Sequence, residues 1–308
     1  MIKNKKILIV GGTGFLGFNL AKKFIKNNVV TSISTRNPHK DRNVKGVKYI
    51  TLDISNKDKF NKIKKYSFNY VINLAGYVDH KDKINVYKSH YIGTKNLINY
   101  FKKKKIDFFV QIGSCTEYGH LKSPQMEKSN LKLLNLKSFY SKAKLKASKY
   151  LLNEIKKKKI AGLIIRPYLI YGPHQDYNRL IPIVFKNCIL DKNFNCSDGE
   201  QIRNFLYIDD FVEAIAKILK IKPTCKIMNI GSRKSYKVKT IIKRIKSIAN
   251  KGKPLFGMIQ LRLDEAKIIY PNLNNLNKYV NWREKVNLNL GLKKTYLYFK
   301  KNVRKTTS

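Results

Sequence analysis

A chain of 308 residues with 43% apolar side chains can bury a real core, which excludes wholesale disorder and leaves room for one large α/β domain with a smaller lobe. Its 65 Lys and Arg against 19 Asp and Glu give a formal net charge of +46, which invites a nucleic-acid or anionic-membrane role. The excess is mostly Lys and is spread through every segment, so no specific nucleic-acid partner is expected; a polyanionic small ligand, such as a nucleotide diphosphate, suits the charge better.

The N-terminus opens with Lys residues and then apolar ones, the layout of a signal peptide. Gly11, Gly12, Gly14 and Gly17 break the apolar stretch, however, and no small-residue cleavage site follows. It reads as a first strand and loop. No run has the length of a membrane span. Cys115, Cys188, Cys196 and Cys225 show no C-x-x-C, and the five His are scattered, so no metal is expected. Reduced thiols and a cytoplasmic location are the simplest reading.

Short apolar runs at 6–10, 29–34, 47–52, 70–74, 108–112 and 162–166 predict strands. Longer amphipathic stretches at 16–26, 56–65, 83–103 and 138–157 predict helices. This alternation implies a doubly wound parallel sheet with helices on both faces, an α/β fold of Rossmann type, with ligands at the carboxyl ends of the strands. The Lys runs 102–105 and 156–159 each close a predicted helix, where cations suit the negative end of the dipole. After Tyr171-Gly172-Pro173 the pattern becomes irregular, which points to a second lobe.

The segment Gly11-Gly12-Thr13-Gly14-Phe15-Leu16-Gly17 follows the first strand directly. Glycines there permit a tight turn and let backbone N–H groups approach a pyrophosphate at a helix N-terminus. The second strand ends Ser32-Ile33-Ser34-Thr35-Arg36, with no acid to hold a ribose 2′-hydroxyl. Arg36, helped by Ser34 or Thr35, suits a 2′-phosphate, so NADP(H) is favoured and NAD(H) stays possible. Asp53-Ile54 either meets the adenine edge or, through Asp53, caps the next helix. Leu74-Ala75-Gly76 follows the fourth strand and belongs on the same edge.

Tyr140 and Lys144 lie one helical turn apart on one face. A phenol with an ordinary pKa of about 10 is a poor base at neutral pH, and a neighbouring ammonium favours its ionised form. Ser114 can hydrogen-bond a substrate oxygen. Tyr-x-x-x-Lys alone would be a plain amphipathic helix; with Ser114 and the glycine loop in this order it points to hydride chemistry on a carbinol or carbonyl.

With Asn73-Leu74-Ala75-Gly76, Gly113-Ser114-Cys115-Thr116-Glu117-Tyr118-Gly119, Arg166-Pro167-x-x-x-Tyr171-Gly172-Pro173, Arg203-Asn204-Phe205 and Asn229-Ile230-Gly231 added, the chain resembles the extended short-chain dehydrogenases/reductases, the nucleotide-sugar epimerase/dehydratase group, over nearly its whole length. The resemblance implies a nicotinamide-binding Rossmann domain at 1–171 with a return segment near 203–231. It also implies a C-terminal nucleotide-sugar lobe at 172–202 and 232–301, a tail at 302–308 and a homodimer. Tyr140 would be the acid/base and Lys144 would hold the ribose. Ser114 and Thr116 would meet the sugar, Arg203 would grip the substrate phosphates, and Pro167 would pack near the nicotinamide.

Three departures matter. His90 stands where the group usually has Asn before Gly93-Thr94. The second-strand acid of NAD-using epimerases is absent. Cys115-Thr116 replaces the Asp-Glu of 4,6-dehydratases, and elimination of water needs such a pair. Gly-Ser-x-x-Glu-Tyr-Gly resembles instead the reductases of 4-keto-6-deoxyhexose nucleotides, with Glu117 carrying the similarity. The leading expectation is therefore an NADPH-dependent reductase of that kind. A UDP-hexose 4-epimerase with tightly bound NAD is the alternative, and a noncatalytic basic NADP-binding protein is a third possibility from another class.

Overall fold

The computed structural model describes residues 2–260 and 265–303. The chain begins with β1 (Lys6–Val10), α1 (Phe15–Phe24), β2 (Val29–Ser34), β3 (Lys48–Thr51) and β4 (Tyr70–Asn73). Next come α2 (Lys83–Tyr87), α3 (Gly93–Phe101), β5 (Phe108–Ile112), α4 (Phe139–Lys156) and β6 (Gly162–Pro167). Three short strands, β7 (Leu169–Tyr171), β8 (Asn193–Asn195) and β9 (Ile202–Tyr207), and helices α5 (Leu180–Ile189) and α6 (Ile208–Ile221) precede β10 (Ile227–Ile230). Strand β10 returns to the main sheet, whose order is β3-β2-β1-β4-β5-β6-β10, parallel throughout.

The sheet is buried on both faces, which is why its strands read as unbroken apolar runs. In β1, Ile7 and Ile9 face α1 and α6, while Leu8 and Val10 face α3 and α4. Strand order reverses between β1 and β4, so the loops after these two strands diverge and open a crevice at their carboxyl ends.

The remaining elements are β11 (Ser235–Lys237), α7 (Val238–Ala249), β12 (Lys253–Leu255), β13 (Ile268–Ile269), α8 (Asn274–Val280) and α9 (Leu288–Val303). Strands β7, β9, β11 and β13 form a second, small sheet. Helices α5, α7 and α9 pack on one another, with Phe185, Ile241, Leu292 and Phe299 buried between them.

Three expectations change. The stretch 56–65 is a 3₁₀ helix, Lys57–Ile63, started by Asn56 accepting from the Asp58 amide at 3.0 Å. The single helix expected at 83–103 is interrupted: a π turn, Lys88–Ile92, separates α2 from α3. Finally, α9 continues through Val303, which is buried, so no tail begins at Asn302; residues 304–308 of the expected tail lie outside the described residues. Among the described residues no helix is long and apolar enough to cross a membrane.

Candidate active site

The crevice is a cleft of about 1060 Å³. Gly11, Thr13, Gly14, Phe15, Leu16 and Gly17 line one end of it, together with Arg36, Asp53 and Ile54. Leu74, Ala75, Gly76, Ser114, Thr116, Tyr140, Lys144 and Pro167 line it too. Segments more than a hundred residues apart in sequence thus share one wall.

The glycine loop fits a diphosphate group. Gly14 is the N-cap of α1 and offers no side chain to the first-turn amides, so these donors face the cleft. A Cβ on Gly17 would stand 2.5 Å from the Gly11 carbonyl oxygen, so glycine is needed where helix and loop touch. Thr13 Oγ1 donates to Ser34 at 3.1 Å, and Ser34 Oγ donates to the Arg36 carbonyl at 2.7 Å, fixing the end of β2 against the loop. The Arg36 side chain is exposed beside the cleft and makes no ion pair among the described residues. Asp53 is not the helix cap: it accepts from the Ser55 amide at 2.9 Å, and Asn56 does the capping.

Ser138 caps α4 through a 3.0 Å bond from the Ser141 amide, which sets Tyr140 and Lys144 in the first turns. Lys144 Nζ donates to the Ile112 carbonyl at the end of β5 (2.9 Å) and lies 5.9 Å from the Tyr140 ring centroid. Burial depresses the Lys144 ammonium to about 8, with Glu117 opposing the fall. Burial likewise pushes the Tyr140 phenol up to about 12; Ser114 as hydrogen-bond partner and the charge of Arg179 pull it the other way. The ring is reached by solvent only partly, from the cleft side. Added positive charge beside the ring would favour its ionised form.

Ser114 is held by a capping box. Its Oγ accepts from the Thr116 amide (3.1 Å) and hydroxyl (2.9 Å), and its own amide donates to Glu117 (2.9 Å). The Ser114 proton is left to be given into the cleft. Glu117 is fully buried and takes the Arg166 guanidinium at 2.9 Å. Arg166 in turn lies over the Tyr118 ring, 4.6 Å from its centroid. Glu117 is thus the strut behind Ser114 and does not itself face the cleft.

Arg203 is the one expected site residue not lining the cleft. Its guanidinium donates to Glu265 (2.5 Å) and to the carbonyls of Ile202 and Lys267 (2.9 and 3.2 Å). Sequence reasoning missed Arg179, the N-cap residue of α5, which does line the cleft. It also missed Arg42, which crosses to Asp176 (2.5 Å) and to the His174 carbonyl (2.6 Å) at the mouth. Both lie in irregular segments with no periodic signal. Among the described residues no His, Cys, Asp or Glu cluster could hold a metal.

A Rossmann sheet with a glycine loop and a Ser-Tyr-Lys group at its switch point marks an enzyme of the short-chain dehydrogenase type. Residues 7–231 match the model of the NAD dependent epimerase/dehydratase family, and the chain belongs to that family. A dTDP-D-glucose 4,6-dehydratase of Dictyostelium discoideum is 30% identical over 257 residues, covering 74% of this chain and 58% of that protein, so the match spans less than two thirds of that relative. The CDP-abequose synthase of Salmonella muenchen is 24% identical over 94% of this chain and 97% of its own. The solved UDP-glucose 4-epimerase of Thermotoga maritima shares the fold with a TM-score of 0.89 at 22% identity, covering 98% of this chain and all of that one.

Proposed function

We propose that the chain is an NADPH-dependent reductase of a 4-keto-6-deoxyhexose carried on a nucleotide diphosphate. The observation that carries this reading is the pairing of a cleft-side Arg36, with no ion pair among the described residues, with Cys115-Thr116 at the position where elimination of water would need an acid and a base. The full-length similarity to a CDP-abequose synthase supports it.

A nicotinamide, when bound, would supply the hydride. The protein's residues do the rest. Ser114 donates a hydrogen bond from its hydroxyl to the C4 carbonyl oxygen and orients it. Tyr140 gives its phenolic proton to that oxygen as the carbonyl becomes an alkoxide. Lys144, anchored on Ile112, stabilises the phenolate left behind. First-turn amides of α1 would hold the cofactor diphosphate, and Arg36 would hold the 2′-phosphate. Arg179 takes the substrate diphosphate, the task expected of Arg203. The cytoplasmic location and the homodimer belong to the same reading.

A second reading, a nucleotide-sugar 4-epimerase, uses the same Ser114, Tyr140 and Lys144, and the fold shared with an epimerase favours it. The deciding experiment is to denature the purified protein, identify released nucleotide by mass spectrometry, and titrate emptied protein with NADPH and NADH. An empty site preferring NADPH, with NADPH oxidised by a 4-keto-6-deoxyhexose nucleotide, supports the reductase. Retained NAD would overturn it for the epimerase.

A further inference from the structure

Two histidines meet the Tyr140 ring, and the reaction described above uses neither. His80 stacks on its face, with centroids 4.1 Å apart and planes 17° from parallel. His90 meets it edge-on at 5.0 Å and 87°. They differ in setting. His80 is exposed, at the end of the loop that follows β4. His90 is buried in the π turn, where its Nε2 accepts from the Tyr77 amide at 3.2 Å.

The two are linked. A Cβ on Gly76 would stand 2.2 Å from His90 Cε1, so the imidazole fits against the bare backbone of Gly76. With Gly76 in contact and Tyr77 hydrogen-bonded, His90 holds the start of the loop whose far end sets His80 on Tyr140. A π turn brings one extra residue into the helix and re-aims the side chains within it, a feature frequent at functional sites. Burial, with Lys144 nearby, drives the His90 ring down to about 2, so it stays neutral in ordinary buffers and acts as a fixed peg.

We propose that His90 and His80 are positioning residues for Tyr140: His90 fixes the loop, and His80 covers one face of the phenol ring and keeps water from it. The other charged or titratable groups facing Tyr140 are Lys144 on its own helix, Cys115 and Glu117 from the segment after β5, and Arg179 at the start of α5. The inference rests on Tyr140 being the acid/base, but its test reads the ring itself and needs no turnover.

The test is a pH titration of the cofactor-free protein labelled with ring-13C tyrosine, with the Tyr140 signal assigned by its loss in Tyr140→Phe. In wild type the signal is expected to carry the ring-current shift of a stacked imidazole and an inflection from Lys144 near 8. His80→Phe should keep both. His80→Ala should lose the ring-current shift and bring the phenol's own titration down from about 12, because one ring face is opened to water. His90→Ala, with its loop unpegged, should do the same while His80 is still present. A Tyr140 shift and titration left unchanged in His80→Ala would overturn the proposal. So would a His90→Ala protein that keeps the wild-type ring-current shift.

Discussion

The Nε of Arg166 donates to the Glu117 carboxylate at 2.9 Å in a place where both side chains are almost wholly buried, at 3% and 0% exposure. Arg166 Nη1 has no partner there, so Glu117 is the counter-charge that lets the guanidinium stay. Removing one member of such a pair strands the other and typically costs about 3–5 kcal/mol. Glu117→Gln is expected to lose stability of that order in urea unfolding. It should also lower kcat, because Glu117 holds the Ser114 amide. A loss below about 1 kcal/mol would mean that the Tyr118 ring alone carries the Arg166 charge.

Lys144 should make the cofactor-free protein more stable in alkali. Its ammonium titrates at about 8 in the fold against about 10.4 in an unfolded chain. Between those values the unfolded state binds more protons, so this contribution to stability rises with pH across that window; below 8 the full penalty stands. The penalty is on the order of 3 kcal/mol, offset by about 1 kcal/mol for the bond to Ile112. Lys144→Met is therefore expected to be more stable than wild type at pH 7, with the gap closing toward pH 10.5, and to be inactive. Chemical denaturation of both proteins at several pH values checks the sign.

Arg36→Ala should weaken NADPH binding by tenfold or more and barely touch NADH. A charge-assisted hydrogen bond to the 2′-phosphate is worth about 1.5–3 kcal/mol, and about 1.4 kcal/mol is a factor of ten. The Arg36 side chain makes no ion pair among the described residues, so its removal should leave the fold intact. Cofactor Kd values from fluorescence quenching measure this. Equal losses for both cofactors would reduce Arg36 to a nonspecific surface cation.

Arg179 and Arg203 should separate in kinetics. Arg179 is exposed in the cleft, so Arg179→Ala is expected to raise KM for the nucleotide sugar by about tenfold or more with little change in melting temperature. Arg203 is tied to Glu265 and two carbonyls, so Arg203→Ala should chiefly lower stability. The reverse pattern would restore Arg203 as the phosphate-gripping residue.

Local features made much of this legible in the sequence. The unbroken run Ile7 to Val10 announces a strand buried on both faces, and the glycines after it a close helix contact. The Tyr140 and Lys144 spacing survives because one helix carries both. What was not legible depends on contacts distant in sequence. Arg203 looks like a phosphate ligand until Glu265, 62 residues later, occupies it. The 83–103 stretch has an apolar period that suits one helix, and nothing in it signals the extra residue of the π turn. His90 is visible as a departure from Asn, but its grip on Tyr77 and its place beside Tyr140 are set by the loop packed over it.

That packing can be tested at Gly76. Its ideal Cβ would lie 2.2 Å from His90 Cε1 and 2.9 and 3.1 Å from the two ring nitrogens, so the whole edge of the imidazole is in the way. His90 is only 4% exposed, its Nε2 is engaged and Tyr140 blocks another side, so the ring has little room to swing aside. Overpacking of this kind typically costs about 1–3 kcal/mol. Gly76→Ala alone is therefore expected to destabilise by that amount and to lift His80 from Tyr140. In a His90→Ala background the ring is gone and the new methyl has space. The second substitution should then cost far less, giving a coupling of about 0.5–3 kcal/mol in a double-mutant cycle. Urea unfolding of the four proteins measures it, and strict additivity would mean that Gly76 is required for its backbone and not for the histidine.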